Sequence, residues 1–282
     1  MLNYKTNAEI LEEFDKIVVG HTKAKKMLIS LVNRSKIGHY HKYLSQENPT
    51  DDIESINCLL VGASGTGKTF MVRTLHKLVS FPLVTLDATR LGPVGGSEGI
   101  TVKDIAKLIV ENARECMVAD PLQYFSLEGT IDQTVVFIDE IDKRAKPFES
   151  SGTWNLQIQA SLLSLLEGEE GLGKVSFIFA GAFSDLRAER GVKKSIGFHS
   201  AAVEDKKDDD ITDRDVIKYG LMPELVGRLS SIVTLDEMTY EMMDKILHEM
   251  LIPERLAQLQ LMGVDASSAV NAEVEDAMIE EA

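Results

Sequence analysis

Gly62-Ala63-Ser64-Gly65-Thr66-Gly67-Lys68-Thr69 is the stretch on which the reading of this chain turns. It has the form G-x-x-x-x-G-K-[ST], with every fixed position filled. An apolar run, Cys58-Leu59-Leu60-Val61, precedes it, and a helical pattern follows from Phe70. In that strand–loop–helix setting the glycines let the backbone curl until successive N–H groups face phosphate oxygens. The helix N-terminus adds partial positive charge. Lys68 is placed to reach β- and γ-phosphates, and the Thr69 hydroxyl to hold Mg²⁺. Gly62 through Phe70 are thus the candidate nucleotide-binding residues, with ATP and Mg²⁺ as the expected ligands.

Working outward, Val135-Val136-Phe137-Ile138 reads as a buried parallel strand and ends in Asp139-Glu140. Open α/β sheets place their ligands at the C-terminal ends of strands. There Asp139 suits the Mg²⁺ shell, and Glu140 suits the polarisation of an attacking water.

The remaining pattern alternates strands and helices. Further short strands are expected at 83–86, 175–180 and 232–235, and helices at 7–16, 22–44, 68–78, 102–118, 154–167, 239–261 and 272–282. This predicts a parallel five-stranded α/β sheet flanked by helices, followed by a smaller helical domain. Residues 199–213, with Asp208-Asp209-Asp210, read as a solvated loop.

The chain has 282 residues, 44% of them hydrophobic, enough for one large core and a smaller one. Lys+Arg is 30 and Asp+Glu is 45, a formal net charge of −15. That balance argues against nucleic acid as a partner, because a phosphate backbone is gripped by clustered cations. The two cysteines, Cys58 and Cys116, form no metal or disulfide pattern, which fits a reducing cytoplasm. His39 and His41 flank Tyr40 without a further ligand nearby and read as surface residues. No apolar segment approaches the roughly 18 residues of a membrane span.

Several stretches, in order, resemble the AAA+ ATPases of the ClpX/HslU (Clp/Hsp100) type, with the ClpX branch the nearer. Ile17-Val18-Val19-Gly20-His21 is similar to the motif whose apolar residues line the adenine pocket in that family. Asp139-Glu140-Ile141-Asp142-Lys143 resembles its extended hydrolysis motif, and Phe177 to Phe183 the strand beside it. Tyr219 to Leu229 resembles the segment that carries an arginine finger, which maps onto Arg228. The resemblance implies an AAA+ P-loop fold, with a large domain over 1–235 and the start of a small helical domain over 236–282. It implies a homo-oligomeric ring, a hexamer, that hydrolyses ATP to unfold protein substrates. Ile196-Gly197-Phe198 resembles the loop by which ClpX docks on a ClpP-type peptidase.

The sequence also departs from the family. Gly92-Pro93-Val94-Gly95 stands where the family has a pore-lining aromatic, and proline offers no ring face. Trp154 is placed either to act as a paddle there or to pack at a helix start, the latter being the expectation. Ala180 and Gly181 give no polar sensor side chain. The family's zinc-binding N-terminal domain, its substrate-selecting insertion and its sensor arginine are not expected within this sequence. Two other functions remain open. One is a nucleotide-binding modulator of a resident ClpX or ClpP that does not unfold proteins. The other is a DNA-remodelling AAA+ ATPase.

Overall fold

Cys58-Leu59-Leu60-Val61 forms β1 (Cys58–Val61), and all four residues are buried. The computed structural model describes residues 5–43, 55–93, 99–145, 152–168, 172, 174–186 and 210–262. Within them β1 lies between β4 (Ser176–Gly181) and β5 (Ser231–Thr234), while β2 (Leu83–Asp87) and β3 (Val135–Asp139) complete the sheet. The order is β2-β3-β4-β1-β5, parallel throughout, as the alternating pattern predicts.

Parallel strands buried on both faces carry apolar side chains at every position, and successive residues point to opposite sides. Leu59, Val61, Val136, Ile138, Phe177 and Phe179 enter one core. Cys58, Leu60, Val135, Phe137, Ile178 and Ala180 enter the other. The first core is covered by α4 (Val102–Ala119) and α6 (Gly152–Leu166), through Ile105, Ile109, Ile158 and Leu162. The second is covered by α1 (Asn7–Ile17), α2 (Thr22–Tyr43) and α3 (Lys68–Val79), through Phe14, Leu28, Leu31 and Met71.

Local chemistry sets the helix ends. Thr6 and Glu9 form a capping box on α1, each accepting the other's backbone N–H. Lys36 of α2 donates its ammonium to the Val79 carbonyl at the C-terminus of α3, where a cation favours the helix dipole. Burial pushes that lysine down to about 8.

Three short helices are not foreseen by periodicity: α5 (Leu127–Asp132), α7 (Asp213–Tyr219) and α8 (Pro223–Gly227). Each is under two turns or barely reaches them, too short for a 3.6-residue repeat to show. The helix expected over 239–261 is interrupted. α9 (Tyr240–Ile246) runs through a wide π turn (Leu247–Leu251) into α10 (Ile252–Leu261). Pro253 supplies the reason, since it has no N–H for the carbonyl one turn back. The expected helix over 272–282 and the tripeptide Ile196-Gly197-Phe198 lie outside the described residues, as do the neighbours of Asp210 in the acidic run.

Phe137 is fully buried in central strand β3. Phe137→Ala is expected to lower unfolding free energy by about 3–5 kcal/mol, read as a shift of the urea midpoint.

Candidate functional site

The sheet register brings the sequence-predicted residues to one edge. Val61 pairs with Gly181, so β1 and β4 end together, and Asp139 ends β3 beside β4. Strand β1 is followed by β2 at the far edge of the sheet, which leaves a crevice at the point where the chain changes direction. The loop from Gly62 emerges there.

Gly65 (φ 82°) and Gly67 (φ 83°) adopt the left-handed conformation that curls the loop into the start of α3. Gly62 meets a different constraint. A Cβ there would stand 2.9 Å from Leu235 Cβ and 3.0 Å from Thr66 Oγ1. The loop also braces itself: Thr66 Oγ1 donates to the Ala63 carbonyl at 2.8 Å, and Gly62 N–H to the Gly181 carbonyl at 3.2 Å.

Lys68 is buried, and its ammonium donates to the carbonyls of Gly62 (2.7 Å) and Ala63 (2.8 Å). The charge is therefore held in the bowl of the loop. Thr69 Oγ1 donates to Asp139 Oδ2 at 2.5 Å. Asp139 Oδ1 accepts the N–H of Glu140 at 2.9 Å. Glu140 is exposed and sits at φ 57°, a conformation that costs a non-glycine residue energy and concentrates at functional sites.

A cavity of about 400 Å³ joins these groups, bounded by the loop with Phe70, by Asp139 and Glu140, and by the end of β4. The hydroxyl and carboxylate oxygens of Thr69 and Asp139 suit a hard cation such as Mg²⁺. Among the described residues no cluster of three or more His, Cys, Asp or Glu side chains could hold a metal. A cation at this place thus depends on phosphate and water oxygens for most of its shell.

Three lining residues have no assigned role from the sequence. Asp142 is buried, Lys143 stands 3.9 Å from it, and Ser184 offers a hydroxyl near the strand end where Ala180 and Gly181 have none. Their signal was faint. Asp142 and Lys143 belong to the hydrolysis stretch, but nothing in the spacing shows that they face the cavity. Ser184 is brought there by the sharp backbone turn at Phe183 (φ 48°).

Other expected site residues lie elsewhere. Val18 packs in the core and Ile17 and Val19 are half-buried, and none of the three borders the phosphate cavity. Their neighbour His21 is 3% exposed. His21 N–H donates to Asp236 Oδ2 at 2.6 Å, and its ring Nδ1 accepts the Asp236 N–H at 3.1 Å. Burial holds the imidazole below its ordinary value, assisted by Lys25 and Lys68 and opposed by Asp236 and the Thr66 carbonyl.

Arg228 lies at the opposite end of the sheet. Its carbonyl accepts from Asn57 Nδ2 at 3.3 Å, just before β1 begins, and its guanidinium pairs with Glu167 at 2.5 Å. Four strand residues, about 13 Å, separate that end from the loop. Arg228 and Glu167 line a second cavity of about 590 Å³.

Pro93 is buried beside a loop base closed by the Leu91–Ile100 bridge, with residues 94–98 outside the described set. Trp154, expected to pack at a helix start, is instead 42% exposed on the first turn of α6. The residues around it, Thr153 and Leu156, are exposed too, so this face of α6 has no core to enter.

A phosphate loop at the switch point of a parallel five-stranded sheet, with paired acids two strands away across β4, defines a P-loop nucleotide-binding protein. Residues 58–189 match the family model "ATPase family associated with various cellular activities (AAA)". The chain is 31% identical over 265 residues to "ATP-dependent Clp protease ATP-binding subunit ClpX 2" of Wolinella succinogenes, covering 86% of this chain and 62% of that protein. It is 30% identical over 281 residues to the subunit of the same description, ClpX, of Treponema denticola, covering 86% and 63%. The chain is thus similar to the AAA ATPases and, along most of its length, to ClpX. It spans a little over three-fifths of the length of these relatives. No helix among the described residues is long and apolar enough to cross a membrane.

The His21 environment has a pH consequence. The folded state favours the neutral ring, so its contribution is fully present above the ordinary value of 6.5 and is lost as pH falls below it toward the lowered folded value. Urea midpoints measured from pH 7 down to pH 5 are expected to fall more steeply for the wild type than for His21→Gln, which has no proton to gain.

Proposed function

We propose that this protein is an ATP-driven protein-remodelling ring which works in the cytoplasm and passes substrates to a ClpP-type peptidase. The contact that carries the reading is Thr69 Oγ1 to Asp139 Oδ2 at 2.5 Å, with Lys68 and Glu140 on either side. ATP is the substrate. Loop N–H groups between Ser64 and Thr69 orient its phosphates, and Lys68 neutralises charge that grows on them in the transition state. Thr69 and Asp139 would hold Mg²⁺, which would supply Lewis-acid stabilisation of charge on the phosphates. Glu140 accepts a hydrogen bond from the attacking water and aligns it with the γ-phosphorus. Ile17, Val18 and Val19 contribute to the adenine side.

Arg228 serves a neighbouring copy. A guanidinium about a strand's length from its own phosphate loop has no route to it, whereas an exposed one can reach a triphosphate presented from outside. Such an arrangement makes each site the joint property of two subunits, and a closed ring, a hexamer as the family resemblance implies, gives every subunit that neighbour. The large domain over 1–235 carries the site, and residues 236–282 begin a small helical domain. Ile196-Gly197-Phe198 provides the peptidase contact in this reading.

A second reading is favoured by one observation. Pro93, at the position of the family's pore aromatic, is buried and has no aromatic ring to press on a polypeptide. A protein of that kind would bind nucleotide and join or cap a resident ClpX or ClpP without unfolding anything. The discriminating assay is degradation of a folded fluorescent substrate by a ClpP-type peptidase. Consumption with ATP supports the remodelling ring, and slowing of a resident ClpX supports the modulator.

For the ATP site itself, Glu140→Gln is expected to keep nucleotide affinity and lower turnover by about 100-fold or more. Arg228→Ala should keep the affinity of each subunit and lower turnover by about 1000-fold. Equilibrium binding and phosphate release test both, and normal turnover in either variant overturns the role given to that residue.

A further inference from the structure

One acid beside the phosphate cavity has no part in the chemistry given to Asp139 and Glu140. Asp142 lies in the short helical turn (Ile141–Arg144) that follows Glu140, and it is 5% exposed. Its Oδ1 lies over the end of β4, where a Cβ on Gly181 would stand 2.8 Å away. Asp142 and Gly181 both border the cavity, together with Glu140 and Lys143. The bare strand end is thus what lets this carboxylate approach. Among the described residues no N–H or O–H donates to it, and the mostly exposed Lys143 ammonium stands 3.9 Å from Oδ2. A buried carboxylate is costly unless donors satisfy its oxygens, and one long ion pair meets only part of that need.

The order of the strands places the acid. β4 lies between β1, which leads into the phosphate loop, and β3, which ends in Asp139. A group over the end of β4 therefore stands between bound phosphates and Glu140. A water polarised by Glu140 and aimed at the γ-phosphate occupies the same space. The carboxylate cannot face phosphate oxygens directly, because like charges repel, so the group it meets there is a donor. Water has two protons to donate. One given to Glu140 and the other to Asp142 leave an oxygen lone pair directed at the γ-phosphorus.

We propose, on the reading of this site as one that hydrolyses ATP, that Asp142 is a second acceptor for the attacking water, which it holds together with Glu140. In the step itself the water oxygen bonds to the γ-phosphorus. The bond from that phosphorus to the bridging oxygen breaks, and its electron pair leaves with ADP. One water proton passes to Glu140, and the other stays on the phosphate product, hydrogen-bonded to Asp142. Lys143 offsets part of the charge that a further acid brings to the cavity. A donorless buried acid costs the fold stability, and such costs are found where activity requires them.

The test compares the full chain with Asp142→Ala, Asp142→Asn, Glu140→Gln and the double variant Asp142→Ala with Glu140→Gln. It reads phosphate release in a single turnover, equilibrium binding of a fluorescent ATP derivative, and the urea midpoint. Asp142→Ala should lower turnover about 10- to 100-fold, as expected for one lost hydrogen bond to a charged acceptor, with nucleotide affinity kept within about twofold. Asp142→Asn keeps one acceptor oxygen and should fall between alanine and the wild type. Two acids that hold one water do not act independently, so Asp142→Ala should cost less than about threefold when Glu140 is already glutamine. The urea midpoint of Asp142→Asn should equal or exceed that of the wild type, since a donorless charge is exchanged for a neutral amide of the same size. That variant covers the case of an alanine variant that does not fold. Turnover of Asp142→Ala within about twofold of the wild type overturns the proposal. So do equal losses in both backgrounds, which a packing role predicts, and a loss of turnover accompanied by weaker nucleotide binding or a lower midpoint in Asp142→Asn. Unchanged turnover in Glu140→Gln, or none in the wild type, overturns the hydrolytic reading itself, and the role of Asp142 with it.

Discussion

The hydrogen bond from Thr69 to Asp139 joins two segments at one end of the sheet that the chain reaches 70 residues apart. Everything chemical in the molecule is arranged around it. It exists because β1 and β3 both run parallel to β4 and finish at the same level, so the first turn of α3 meets the last residue of β3. Backbone pairing provides that alignment, and two apolar cores lock it from above and below. A one-residue slip in β3 would turn Asp139 to the wrong side and carry Val136 and Ile138 out of their core. Packing and chemistry therefore select the same register.

The parts of this arrangement that were legible in the sequence are those with local causes. The phosphate loop is written in eight consecutive residues, and the acids follow directly from a buried strand. The sheet was legible because strands covered on both faces have no alternation to mask them. The short helices α5, α7 and α8 were not, since caps and a proline at a first turn define them rather than periodicity.

What the sequence hid has distant causes. His21 meets Asp236 across 215 positions, and no pattern within either segment announces the pair. Trp154 looked like a residue to be buried, yet its neighbours on α6 face outward and leave it no partner core. The separation of Arg228 from the loop of its own subunit follows from the polarity of β1, a strand of only four residues with Asn57 and its contact to Arg228 before one end and the loop after the other.

That separation has a geometric consequence. The face bearing Arg228 and the face bearing the phosphate loop are unlike surfaces on opposite sides of one subunit. Two copies that join one to the other cannot be related by a twofold axis, because neither patch complements itself. Each junction instead leaves one unused patch of each kind, and the next copy adds with the same handed rotation. In such an assembly a ring forms only if the step carries no shift along the axis and its rotation divides a full circle, so the number of subunits would follow from a single angle between neighbours.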